Sequence, residues 1–130
     1  MSKYYAGKRR DGIAKVFKGD DSEPHIQEEL DPARSLFFRN HSPTGFEFGY
    51  GGSGPAQTAL AILLDFSDDA EWAMEHYQEF KGDVVSRMPR AEDWTLTWME
   101  IFMWIQHREE AKKHFAAKWD GARAQLVEEK

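Results

Sequence analysis

Gly49-x-Gly51-x-x-Gly54 leads straight into Pro55-Ala56-Gln57, and Arg39, His41 and Tyr50 stand shortly before it. Glycines at a helix entrance leave backbone amides bare where the helix dipole is positive, which suits a phosphate or carboxylate. The Arg39 guanidinium would grip such an anion through two bonds, and the Tyr50 ring would stack on a base. The candidate ligand set is therefore Arg39, His41, Tyr50, Gly51, Gly52, Ser53 and Gly54. The glycine spacing formally matches a dinucleotide fingerprint. That motif needs a parallel βαβ unit with an acid ending its second strand, whereas here the helix runs into Ser67-Asp68-Asp69 and another helix. A P-loop is excluded because no Lys-Ser/Thr pair follows Gly54. A tight turn with close sheet-to-helix approach explains the glycines without any ligand, and direct contact with a macromolecule is a third reading.

Asn40, His41, Ser42 and Thr44 place a histidine beside hydroxyls, the raw material of a nucleophile and base. Adjacency in sequence does not orient such a pair. Asn40 and Ser42 are turn formers, and His41 suits a bond to a backbone carbonyl. Arg39 is expected to form a salt bridge with Glu47. No residue is assigned a catalytic role. The five histidines form no His-x-x-x-His or Glu-x-x-His pair and there is no cysteine, so no metal site and no cofactor are expected. His107, Glu110 and His114 are expected on one solvated helix side, and Glu71, Glu75 and Glu79 on another.

A length of 130 residues fits one domain, with about 65 to 70 per cent of the unfolded surface buried on folding. The formal charge is −6, unevenly spread. Residues 1–19 hold six Lys/Arg against Asp11 alone, whereas 20–32 hold six acids and no Lys or Arg. An acidic whole argues against duplex nucleic acid as a partner, since that affinity comes from neutralising phosphates. It suits a protein partner with basic character. The start MSKYYAGKRR has no apolar signal core, and the aliphatic run Ala59–Leu64 is far short of the roughly 20 residues a bilayer span needs. A cytoplasmic, membrane-free protein is the expectation.

The elements that must position these residues begin with Tyr4–Lys8 and Ile13–Phe17, a hairpin about Asp11-Gly12. Residues 19–33 read as a connection with one short helical turn around His25–Leu30. Ser35–Arg39 and Phe46–Tyr50 read as a second hairpin about Ser42-Pro43-Thr44-Gly45. A helix follows over Pro55–Phe66, then one capped by Ser67 and closed near Met88 by Pro89, with a permitted bend at Gly82. Thr97-Trp98-Met99-Glu100 is a capping box and starts a third helix. That helix carries Trp98, Ile101, Phe102 and Ile105 on one side. The fold class is α+β: a small antiparallel sheet of two hairpins packed against about three helices, mainly β over 3–50 and mainly α over 55–127. Residues 106–130 form a continuing helix that projects from the domain or a separate segment after Gly121.

The residues Arg39 to Phe46 (RNHSPTGF) and Gly49 to Gln57 (GYGGSGPAQ) resemble the signature of an uncharacterised family, a domain of unknown function in small proteins of bacteria, phages and plasmids. The resemblance spans most of residues 3–103 and leaves out the tail after Gln106. It implies an accessory protein of mobile elements, a setting where small acidic inhibitors of host defence recur. It implies no reaction. The function expected is non-enzymatic binding of a host protein, with Trp104, Phe115, Trp119 and Leu126 as contacts, because large rings bury much area with few rotatable bonds. Packing of Phe115–Leu126 onto another copy of the chain or back onto its own sheet is equally consistent with the pattern. The alternative is a receptor for a small phosphorylated ligand or nucleotide at the glycine loop.

Overall fold

The computed structural model describes residues 2–120. Strands β1 (Lys3–Arg10) and β2 (Ile13–Asp20) pair antiparallel in a register running from Lys3 opposite Asp20 to Arg10 opposite Ile13. Asp11 and Gly12 both have positive φ, the twist that a two-residue hairpin loop requires. Strand β3 (Gln27–Glu29) adds to the free side of β2, and β4 (Trp94–Thr97) to that of β1, giving the order β3-β2-β1-β4. The connecting segment thus ends in a third strand, not the helical turn expected near His25–Leu30.

Helix α1 (Ala33–Phe38) replaces the first arm of the expected second hairpin. Asp31 accepts the Ala33 amide and the buried Ser35 hydroxyl bonds back to the Pro32 carbonyl, both helix-start contacts. Phe37 and Phe38 are adjacent, so no two-residue alternation existed there to support a strand. The second arm is extended without being a strand. Phe46 and Phe48 alternate into the core, but Glu47 bonds a helix side chain where a neighbouring strand would have been.

Helix α2 (Ser53–Ser67) is the axis of the molecule, with every residue from Gly54 to Leu64 buried. Such a helix must be covered all round. Its coverage comes from α1, which packs beside it, and from the inner sheet face through Tyr5, Val16 and Leu96, α3 (Ala70–Asp83) and the C-terminal helices, which share one apolar cluster with it. At its end Asp68 is left-handed, and Asp69, not Ser67, caps α3 by accepting the Trp72 amide. A 3-10 turn over Val85–Arg87 follows α3.

In β4, Trp94 and Leu96 point inward and Thr95 outward. Trp94 lies across Gly7, where a Cβ would stand 2.1 Å from its ring. Thr97 ends the strand and immediately caps α4 (Trp98–Gln106) with the reciprocal Thr97–Glu100 capping box. The chain breaks at His107 and α5 (Arg108–Phe115) continues into a π-helical turn over Ala116–Asp120. Instead of projecting, this stretch returns to the core: Phe115 and Trp119 stack at 5.0 Å and are buried. No described helix is long and apolar enough to cross a membrane.

Candidate functional site

Gln57, fully buried in the second turn of α2, uses its whole amide. Its oxygen accepts the backbone amides of His41 (2.8 Å) and Ser42 (3.2 Å), while its nitrogen donates to the Ser35 hydroxyl (2.8 Å) and the Arg39 carbonyl (3.0 Å). The next residue, Thr58, accepts the Glu47 amide (3.0 Å) and donates to the Glu47 carbonyl (2.6 Å). Two neighbouring polar side chains of a core helix therefore pin two irregular segments that have no strand partner. Burial of these backbone groups would otherwise cost about 1–3 kcal/mol each.

Arg9 of β1 closes the outer side. It grips the Glu47 carboxylate with both terminal nitrogens, at 3.0 and 2.6 Å, and donates its Nε to the Arg90 carbonyl. Those bonds from Arg9 hold the Glu47 carboxyl below the usual range despite partial burial. The Arg90 guanidinium lies over the Tyr50 ring at 4.8 Å. A Cβ on Gly54 would sit 2.5 Å from Glu47 Cβ, so that glycine is a site of close approach between the loop and α2. Gly52 begins α2 at φ +145°, and Gly51 faces open space.

The structure distributes the seven ligand candidates over separate tasks. Arg39 is exposed and makes no ion pair with a described residue; Arg9 takes Glu47, because the hairpin that would have set Arg39 opposite Glu47 does not form. His41 is tied through Nε2 to the Tyr77 hydroxyl at 2.7 Å. Tyr50 has one ring face occupied by Arg90, and Gly54 is buried. Gly51, Gly52 and Ser53 are exposed at the start of α2, where no side chain caps the first amides and no acid stands in the first turn. Among the described residues no group of three or more His, Asp or Glu side chains is placed to hold a metal ion.

The C-terminal candidates change places. Trp104 is buried, stacked edge-on against Phe80, with its indole nitrogen donating to Asp83 at 2.9 Å; Phe115 and Trp119 are buried as well. These rings belong to the chain's own core and offer no contact area. Leu126 lies outside the described residues. What α4 exposes is its other side: Met99 is 71 % exposed, Phe102 45 % and Ile105 41 %. Phe66, at the end of α2, bridges this face to Trp98, with ring centroids 5.2 Å from Phe102 and 4.8 Å from Trp98.

The one charged residue between Trp98 and Ile105, Glu100, is 8 % exposed. Burial raises its pKa, but bonds from the Thr97 amide, His114 and Lys118 outweigh that and hold it below the usual carboxylate range. His114 was expected on a solvated side; its bond to Glu100 makes it half-buried, whereas His107 and Glu110 are exposed. The outer face of α4 was missed in the sequence because seven of the eight residues from Trp98 to Ile105 are apolar, so spacing did not say which side points inward. The excess of apolar residues was itself the available signal.

A groove of about 380 Å³ opens beside this face, lined by Trp98 and Ile26, by the half-buried Lys18 and Asp65, and by the exposed Glu23 and Glu28. Asp65 is anchored there by the buried Tyr5 hydroxyl, which donates at 2.7 Å, and by Lys18 at 2.8 Å.

A family model described as a family of unknown function (DUF6166) matches residues 5–107, and the chain belongs to that family. Comparison with curated proteins and with solved structures finds no match to either. The matched region takes in the pinned loops, the groove lining apart from Lys3 and Tyr4, and the whole of α4, and ends as α5 begins.

Proposed function

We propose that the chain is a non-enzymatic protein-binding domain whose docking face is the outer side of α4. The observation that carries this reading is the inverted polarity of that helix. Its single carboxylate is buried in a network of bonds while Met99, Phe102 and Ile105 face outward. A helix optimised for folding alone would do the reverse, and departures from local rules of this kind concentrate at sites of function. The family resemblance sets the proposal in the context of mobile-element accessory proteins, with a host protein as the partner.

The test replaces Met99 by a photoreactive residue in cells, identifies the cross-linked protein, and titrates that purified protein against wild type and Phe102→Asp. The expected result is a loss of affinity of about tenfold or more in Phe102→Asp, about 1.4 kcal/mol or more, with an unchanged melting temperature. Equal affinity of the two forms refutes the reading, as does a reaction turned over by the purified chain. The competing reading, a small phosphorylated ligand at the glycine loop, is supported by the uncapped first amides of α2. Thermal-shift titration with inorganic phosphate and nucleotides separates the two, since ligand at 100 times its dissociation constant adds about 2.7 kcal/mol of stability.

A further inference from the structure

We propose that the groove between Trp98 and Ile26 takes a lysine or arginine side chain of the docked partner, so that the segment bound on α4 is amphipathic and basic. This rests on the docking reading above and adds the chemistry of the occupant. The groove and the α4 face are continuous: Trp98 walls the groove, and its ring meets Phe66, which meets Phe102. A segment whose apolar side lies on Met99, Phe102 and Ile105 therefore has its next residues over the groove.

Charge then selects what enters. Lys18 is committed to Asp65 at 2.8 Å and is 4.0 Å from Glu28. Lys3 carries its ammonium 4.8 Å above the Trp98 ring. Asp20 is held by the amide and hydroxyl of Ser22. Of the carboxylates along the groove, Glu23 makes no ion pair with a described residue, and Glu28 has only that long contact with an occupied lysine. The segment 20–32 around them holds no Lys or Arg. Two under-compensated carboxylates beside an aliphatic and an indole wall match the two parts of a lysine or arginine side chain, whose stem packs on apolar surface while its head stays at a wet rim. An acidic side chain would meet repulsion at the same place.

The experiment selects short random peptides displayed on phage against the purified full chain, then measures the synthesised winners by fluorescence anisotropy. The expected result is an excess of Lys/Arg next to apolar positions at helical spacing. The double variant Glu23→Lys with Glu28→Lys should weaken those peptides by about tenfold, the combined worth of two rim charges turned from attraction to repulsion. The pair Glu71→Lys with Glu75→Lys makes the same change in net charge on the exposed side of α3 and should leave binding as it was. Winners without an excess of basic residues, winners that bind the Glu23/Glu28 variant as well as wild type, or no winners at all overturn the groove assignment. Its failure is distinguishable from that of the docking reading: peptides still lost in Phe102→Asp leave the α4 face standing, and peptides retained there remove it. A wild-type dimer in sedimentation that Phe102→Asp dissolves would show a second copy on this face and would also overturn the proposal.

Discussion

Replacing Gln57 by leucine tests the claim that the sequence signature of this chain is a scaffold. The two side chains have similar size, so the packing of α2 is largely kept while four hydrogen bonds vanish together. The groups left behind are the amides of His41 and Ser42, the Arg39 carbonyl and the Ser35 hydroxyl. Ser35 is fully buried, whereas His41 and Ser42 are half-buried and Arg39 is exposed, so water can reach part of the set. At about 1–3 kcal/mol for each group that stays dry, and with about two of four rehydrated, the loss is about 2–6 kcal/mol. Urea titration followed by tryptophan fluorescence reads this directly. With a slope of about 2 kcal/mol/M the midpoint should fall by about 1–3 M. The matching variant Ser35→Ala removes one of the four partners and should cost about 1 kcal/mol. A Gln57→Leu variant as stable as wild type to within about 0.5 kcal/mol would refute the argument that this amide holds the 39–42 segment in place.

Gly54→Val forces a side chain into Glu47 and should destabilise by about 1–3 kcal/mol, lowering the melting temperature; unchanged melting would mean the loop and α2 are not in close approach. Trp119→Ala should cost the isolated chain about 3–5 kcal/mol by leaving a cavity beside Phe115, and a loss seen only on binding would return that ring to an interface role. Glu100 has a folded pKa below its unfolded value, so its contribution is present above about pH 4.3 and disappears as pH falls through the folded pKa. Glu100→Gln should therefore flatten the drop in denaturation midpoint below about pH 4.3, and an acid limb as steep as in wild type would count against the network.

What could be read in the sequence was local. Asp11-Gly12 specifies its turn by backbone conformation, and Thr97-x-x-Glu100 specifies a helix start within four residues, so both features occur where expected. Phe46 and Phe48 lie in an alternating run and are both buried, but alternation reports a shared side and says nothing about what pairs with the backbone. The pairing falls to Thr58, eleven residues away and on a helix. Gln57 was beyond reach for the same reason: its partners lie 15 to 22 residues earlier, and a glutamine among leucines carries no local mark of its duty. At α4 the reading named Phe102 and Ile105 beside Ile101, since a nearly all-apolar helix has no sequence-visible inside.

Thr97 is both the last residue of β4 and the cap of α4, with nothing between them. The helix therefore inherits its direction from the sheet, and no hinge lets it swivel. On the docking proposal, a partner arriving on Met99 and Phe102 would meet a platform already set in its final pose, so little of the free energy of association would be lost to ordering this side of the contact. Selectivity would then fall to the incoming chain, which would have to conform to a fixed shape.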